Sequence, residues 1–383
     1  MKPVSYRRLS DLVAVGLLTK AFPPAMVDEV IEQAGRTEQR SRSLPARMMA
    51  YFAIGMGLYS EGSYEEVMSQ VADGLSWVSG RQESLTPPSK SAISQARVRL
   101  GTEPLQALFA RVAGPFGTPS TAGGRLAGKR LVAMDSTCLN LQDTPLNADF
   151  LGRPRLSMNE KSPPLPQARL VVLAECATAA IFEAVIGPCT AAEDALAGDL
   201  TERLQPGMLL LADRSACSYQ IWREAIGTRA DLLWRVRTGL HPEHQQTLGD
   251  GSWLALIHPS GDDQGESIRV RVIDSMMGDG PDDPQFYRLF STILDTAEAS
   301  GAELAAAYVQ RWDIELALDE LKTHHSGSRA VLRSKSPGLV LQEIWGYLCC
   351  HYAIRSLMTG GVTNAAATDG RTSVPSATSP YLI

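Results

Sequence analysis

The feature that most constrains this chain is a change of hydrophobic period near residue 129. Before it, apolar residues recur at three and four spacing through residues 25–34, 44–59 and 64–75, the pattern of helices with one buried face. Pro87 and Pro88 open a further helix capped by Ser89, whose exposed positions are expected to carry Lys90, Arg97 and Arg99. Beyond it come β-rich runs at 130–141, 168–174 and 180–186, then a helix at 191–204 and the wholly apolar Met208–Ala212, which ends on Asp213. A helix at 219–226 and a strand at 232–237 follow. Such a chain is expected to make a small helical domain over 1–115, then a mixed α/β sheet. Residues 116–128, rich in Gly, Pro, Ser and Thr, read as the linker between them.

The alternating texture of 267–273 and 285–294 marks 240–294 as a β-rich insertion. A helix is expected from about 302 to 323 and an apolar one over 339–358, completing an α/β domain of 129–239 and 295–358. Residues 359–383 hold Gly, Ala, Thr, Ser and Pro with few large apolar side chains, a composition expected to stay disordered. The most apolar stretches fall far short of the ~20 residues that cross a bilayer, and no cleavable leader is recognisable, so no membrane partner and a cytoplasmic location are expected. Six cysteines without a C-x-x-C pair suggest buried, reduced thiols rather than a zinc knuckle or a disulfide frame.

A formal charge of −6 argues against a nucleic-acid partner until it is located. Between Asp250 and Asp283 eight acids face two arginines, an excess equal to that of the whole chain, so the remainder is neutral.

Three acids stand where an α/β sheet would present them together: Asp135 in the first strand, Asp213 just past a buried strand, and Glu315 within the late helix. Carboxylates are the ligands that Mg²⁺ prefers, and two such ions ~4 Å apart support in-line displacement at phosphorus. On a continuous helix, Tyr308, Arg311, Glu315 and Lys322 would fall within an arc of about 60°, bordering the apolar face of Ile314, Leu318 and Leu321. An ordinary salt-bridged helix surface would show the same Arg311–Glu315 spacing.

The run Tyr308-Val-Gln-Arg311-Trp-Asp-Ile-Glu315, followed by Lys322, resembles the Y-(2)-R-(3)-E-(6)-K signature of DDE transposases of the insertion-element-four group. The resemblance extends to Leu131-Val-Ala-Met-Asp135-Ser-Thr137, Leu209-Leu-Leu-Ala-Asp213-Arg214, Leu44-Pro-Ala-Arg47 and Tyr64-Glu-Glu-Val67, and covers roughly residues 8–358. It implies an RNase H-like mixed-sheet core with a β-rich insertion between the second Asp and the Glu. It also implies Asp135, Asp213 and Glu315 as catalytic ligands of Mg²⁺ (or Mn²⁺), with Tyr308, Arg311 and Lys322 holding phosphates of the transposon end. The partners implied are double-stranded DNA, as element ends and target, and a second copy of the chain in the DNA complex. Two departures stand out: Arg214 is followed by Ser215, Ala216 and Cys217 where the family has Arg-Gly-Phe, and the chain turns low-complexity after Met358. Two alternatives therefore share these residues: an RNase H-like nuclease, and a decayed copy that binds ends without cutting.

Residues 321–342 contain no acid, and Lys322, Arg329, Arg333 and Lys335 there make a phosphate track. In the helical domain Arg36, Arg40, Arg42 and Arg47, with Lys90, Arg97 and Arg99, are candidates for recognising the terminal repeats. Trp253 reads as a core residue with base stacking as the other use, and His324 and His325, lacking a third ligand, read as loop residues or minor phosphate contacts rather than zinc ligands.

Overall fold

The structure is a computed structural model describing residues 9–40, 43–79, 88–155, 164–214, 218–237, 240–259, 266–277, 285–323 and 331–360. The helical half contains α1 (Leu9–Ala21), α2 (Pro24–Gln33), α3 (Ala46–Leu58), α4 (Tyr64–Ser79), α5 (Lys90–Leu100) and α6 (Glu103–Val112). Every residue of α3 from Met49 to Met56 is buried, so this helix has no solvent face and needs neighbours all round. The neighbour the helical half lacks comes from the far end of the chain: α12 (Pro337–Met358) returns to pack on α3 and α6. Glycines set that approach. A Cβ on Gly346 would lie 2.4 Å from the Ala53 carbonyl oxygen, and one on Gly57 would lie 2.8 Å from the Cys350 Cβ.

A buried polar knot fastens the same junction. Arg97, expected on an exposed face, is completely buried and donates to Gln342 Oε1 (2.8 Å), Tyr64 Oη (2.7 Å), Ser334 Oγ (3.1 Å) and the Leu339 carbonyl (3.0 Å). Glu343, equally buried, accepts from the Arg333 and Ser334 backbone N–H groups and the Tyr347 hydroxyl. The helical wheel placed Arg97 outside because it could not see α12 arriving over that face.

The sheet comprises β1 (Arg125–Leu126), β2 (Lys129–Asn140), β3 (Gln167–Glu175), β4 (Ala180–Pro188), β5 (Met208–Ala212), β6 (Asp231–Val236), β7 (Glu243–Thr247), β8 (Trp253–Ile257), β9 (Ile268–Met277) and β10 (Gln285–Ser291). Their order is β4-β3-β2-β5-β6-β10-β9-β8-β7, with β1 beside the start of β2. Only β2, β5 and β6 are mutually parallel, and β5 is buried throughout, as a strand covered on both faces must be. Val132, Met134, Leu210, Ala212 and Leu232 face α8 (Glu193–Thr201) and α9 (Tyr219–Gly227). Leu131, Ala133, Leu209, Leu211 and Leu233 face the other way, into the core shared with the helical half and the late helices.

Two expectations change. The stretch 116–128 is not a free linker: the Phe116 and Gly117 N–H groups donate to Glu175, and Ala127 and Gly128, both at positive φ, turn β1 into β2. The inserted 240–294 is carried on the sheet itself, β10 pairing with β6 and extending the sheet through β9, β8 and β7. Finally, the single helix expected over 302–323 is two, α10 (Gly301–Val309) and α11 (Trp312–Thr323). Between them Arg311 N bonds to Tyr308 O and Ile314 N to Arg311 O, the tighter i→i+3 spacing that resets the helix phase. The cysteines described are all free, four of them buried. Among the described residues no helix is long and apolar enough to cross a membrane. The expected tail and the residues after Arg214 lie outside the described residues, apart from Thr359 and Gly360.

Candidate active site

Strand register builds the site. The last pair in the parallel β2–β5 ladder is Met134↔Ala212, so the next residue on each strand, Asp135 and Asp213, falls in one pleat row. The β5–β6 ladder ends at Ala212↔Trp234, which extends the row to Arg235. The β2–β3 pairing continues past this point to Asn140↔Gln167, so one flank of the row is walled by sheet while β5 has already ended.

Arg311, on the turn between α10 and α11, reaches over this row and is 3% exposed. Its Nη2 donates to Glu315 Oε1 at 2.6 Å, and its Nη1 stands 3.8 Å from Asp135 Oδ2. Arg235 Nη1 lies 3.7 Å from Asp213 Oδ1, and its guanidinium stacks over the Tyr287 ring at 3.9 Å. Two polar atoms here are buried with no hydrogen-bond partner among the described residues: Asp213 Oδ1 and Arg311 Nε.

Burial pushes the Asp135 carboxyl up to about 6, against the lowering pull of Arg311 and of the Ser136 N–H, with Glu315 and Glu193 adding to the rise. Burial also opposes the charge on Arg311, but Tyr308, Glu315, Asp135 and Asp213 outweigh it and hold the guanidinium above the ordinary arginine range.

The structure thus brings Asp135, Asp213, Glu315 and Arg311 together. Tyr308 sits behind them: it is fully buried, its hydroxyl points at the Ala212 carbonyl 3.4 Å away, and burial raises its pKa. That position suits holding the strand end before Asp213, not the phosphate contact expected of it. Arg333 is also spent elsewhere, donating to the carbonyls of Gly62 (2.6 Å) and Tyr59 (3.2 Å). Val331 bridges Asn140, about 16 Å along β2 from Asp135 at roughly 3.3 Å per residue, and Lys335 is exposed further on. The Lys322 side chain, Arg329, His324 and His325 lie outside the described residues. Among the helical-domain arginines, Arg36 pairs with Glu103 and Arg47 with Asp28, Arg40, Arg99 and Lys90 are exposed, and Arg42 is outside the described residues. Trp253 is half-buried, stacked on His244 with Arg288 over its ring.

Sequence reasoning missed Arg235. Its signal was there: a cation on the inward alternation of an otherwise apolar strand, one step past Trp234.

Whether a divalent cation suits these residues turns on charge and on the orphaned atoms. Among the described residues no three acids, His or Cys stand close enough together to share one ion. The donor set is nonetheless all carboxylate, one oxygen of Asp213 is buried without a hydrogen-bond partner among the described residues, and a guanidinium already stands between Asp135 and Glu315 as a cation would. By the chemistry of their donors Asp135 and Asp213 suit such an ion, and Glu315 would add a third carboxylate once released from Arg311.

An aspartate within β2 and another just past the end of β5, beside a helix-borne glutamate, define a class first: an α/β protein with an acidic site on the central parallel strands of a mixed sheet. Sequence comparison then gives the family. A model described as transposase DDE domain matches residues 126–352, and one described as insertion element 4 transposase N-terminal matches residues 12–110. The chain belongs to the DDE transposases of the insertion-element-four group. It is 28% identical over 346 residues, 88% of this chain and 74% of the relative, to the transposase InsG for insertion sequence element IS4 of Escherichia coli (strain K12). Among solved structures, a piggyBac transposase synaptic complex with hairpin DNA is similar over 92% of this chain and 76% of that one, at 10% identity and a TM-score of 0.48, too low to bear on the fold.

Proposed function

We propose that the chain is an RNase H-like DNA transposase that binds the terminal inverted repeats of an insertion sequence and catalyses metal-dependent strand cleavage and strand transfer. The observation that carries this reading is the Met134↔Ala212 register, which sets Asp135 and Asp213 side by side beneath Arg311 and Glu315. Asp135, Asp213 and Glu315 would hold Mg²⁺ or Mn²⁺, which when bound supplies charge stabilisation at phosphorus and a nucleophile activated from water or a DNA 3′-hydroxyl. Asp135 and Asp213, fixed on strands, set the position of the scissile phosphate. Glu315 completes the site from α11, which packs on β2. Arg311 and Arg235 offer planar donors suited to phosphate oxygens. The exposed Arg40, Arg99, Lys90 and Lys335 remain for the duplex beyond the cut, with Lys322 and Arg329 completing the phosphate track. The protein works as a homodimer on DNA in the cytoplasm, in keeping with the absence of any membrane-length apolar helix among the described residues.

The test is a labelled duplex carrying the element's own end, incubated with Mg²⁺ or Mn²⁺ and either the native protein or an Asp135→Ala, Glu315→Ala variant. Native protein is expected to nick at the end and yield strand-joined products. The variant should lose at least about a thousandfold in rate, several kcal/mol of transition-state stabilisation. Cleavage without joining would favour the nuclease reading, and binding without cleavage a copy that only recognises ends.

A further inference from the structure

We infer that Arg311 is a placeholder for the metal: its guanidinium compensates the three acids in the metal-free protein and must swing out for the ion to bind. This inference rests on the metal-site reading above and adds a step to it.

Three observations carry it. The first is charge. Asp135, Asp213 and Glu315 are faced by two arginines, leaving one negative charge uncompensated. A divalent ion entering while both arginines stayed would tip the cluster to net positive in a part-buried place. Entry with Arg311 leaving makes it neutral, which is the cheaper state where water cannot screen.

The second is incomplete bonding. A buried guanidinium is stable when all its donors are used, yet Arg311, besides its contact with the Tyr308 side chain, has one close ion pair, a second at 3.8 Å that is beyond hydrogen-bond reach, and a buried Nε without a partner among the described residues. Asp213 Oδ1 is buried and likewise lacks a hydrogen-bond partner among the described residues, with Arg235 Nη1 3.7 Å away. Between Arg311 and Asp135 the contact is one of charge and not a hydrogen bond, so a better cation can replace the guanidinium there.

The third is the hinge. Arg311 is not inside a helix but on the i→i+3 turn between α10 and α11, with Glu315 one turn on. A change of backbone angle there moves the guanidinium outward and brings the Glu315 carboxylate, now unpaired, toward Asp135 and Asp213. The freed guanidinium then has no carboxylate partner and is available to a phosphate oxygen, so binding of metal and of DNA would be coupled through one side chain.

Two measurements on the full chain test this. Mn²⁺ binding followed by electron paramagnetic resonance is expected to be at least about tenfold tighter for Arg311→Ala than for the native protein, because the competitor is gone. Dicarbonyl labelling of arginines, read by mass spectrometry on the native protein, should leave Arg311 protected without metal and label it at saturating Mn²⁺, with Arg97 protected in both. Equal Mn²⁺ affinity together with an Arg311 that stays protected would overturn the placeholder alone. No Mn²⁺ binding by either protein would overturn the metal site of the proposed function as well.

Discussion

Two buried arginines in this chain look alike by accessibility and differ in everything else. Arg97 spends its guanidinium on four oxygens within 3.1 Å, on the seam where α5 meets the start of α12. Arg311 has one close ion pair and the Tyr308 side chain beside it, a second carboxylate beyond bonding distance and an orphaned Nε. Arg271, also fully buried, is of the first kind: it donates to Ser252 Oγ (2.8 Å), the Ala299 carbonyl (2.7 Å) and Asp250 Oδ2 (2.5 Å), tying the inserted strands to the start of α10. The lesson is that burial alone does not separate a structural cation from a working one, whereas the completeness of its bonding does. A saturated buried charge locks two elements together, and an unsaturated one stores free energy that a ligand can release.

The comparison predicts unequal costs. Arg97→Leu should lower the free energy of unfolding by about 3–5 kcal/mol, since it strands Gln342, Ser334 and the Leu339 carbonyl in the interior. Arg311→Leu in metal-free buffer should lose half of that or less, because Asp135, already at about 6, can take up a proton in place of the missing cation. Urea denaturation of both variants measures this, and a larger loss at 311 than at 97 would break the distinction.

Next in size is the helix crossing that Arg97 fastens. Gly346→Ala puts a methyl group into the Ala53 backbone and should cost about 1–3 kcal/mol, with Gly338→Ala, open to solvent by the same measure, as the neutral control. Equal melting temperatures for the two would mean that α12 can shift freely on α3.

Asp250 gives the pH dependence of the saturated class. Burial works against its charge, but the Ser252 hydroxyl, the Gly301 and Ser252 N–H groups and Arg271 outweigh it and bring the carboxyl down to about 2 from 3.8. The folded value is the lower one, so the stabilisation is complete above about pH 4 and disappears as pH falls toward 2. Asp250→Asn should therefore cost about 1 kcal/mol at pH 7, solvent screening taking up the rest of the shift at this exposed residue, and almost nothing near pH 2, checked by denaturation at the two pH values. The smallest effect is expected from Tyr308→Phe, at most about 1 kcal/mol of stability for a 3.4 Å hydrogen bond. A loss of strand cleavage beyond about tenfold in that variant would show that the hydroxyl does more than hold the Ala212 strand end.

Much of this was legible in the chain. The fully apolar Met208–Ala212 could only be a strand covered on both sides, and the acids at Asp135, Asp213 and Glu315 were nameable from their neighbours. Arg235 went unseen because its alternation marks a cation on the inward face but not the parallel register with β5 that sets it beside Asp213. Tyr308 and Arg97 were assigned to faces by a helical wheel. The wheel failed at Tyr308 because α10 and α11 change phase at Arg311, and at Arg97 because α12 covers the face that the wheel left to water.

By itself, then, the sequence determined most of the order of helices and strands, the three acids to look at and the family of the chain, because these follow from local periodicity and short motifs. Only the tertiary structure decided which cations are locked and which is poised. That depends on which oxygens arrive from elements as distant as α5 and α12, and hydrogen-bond saturation is a property of the assembled neighbourhood rather than of any stretch of chain.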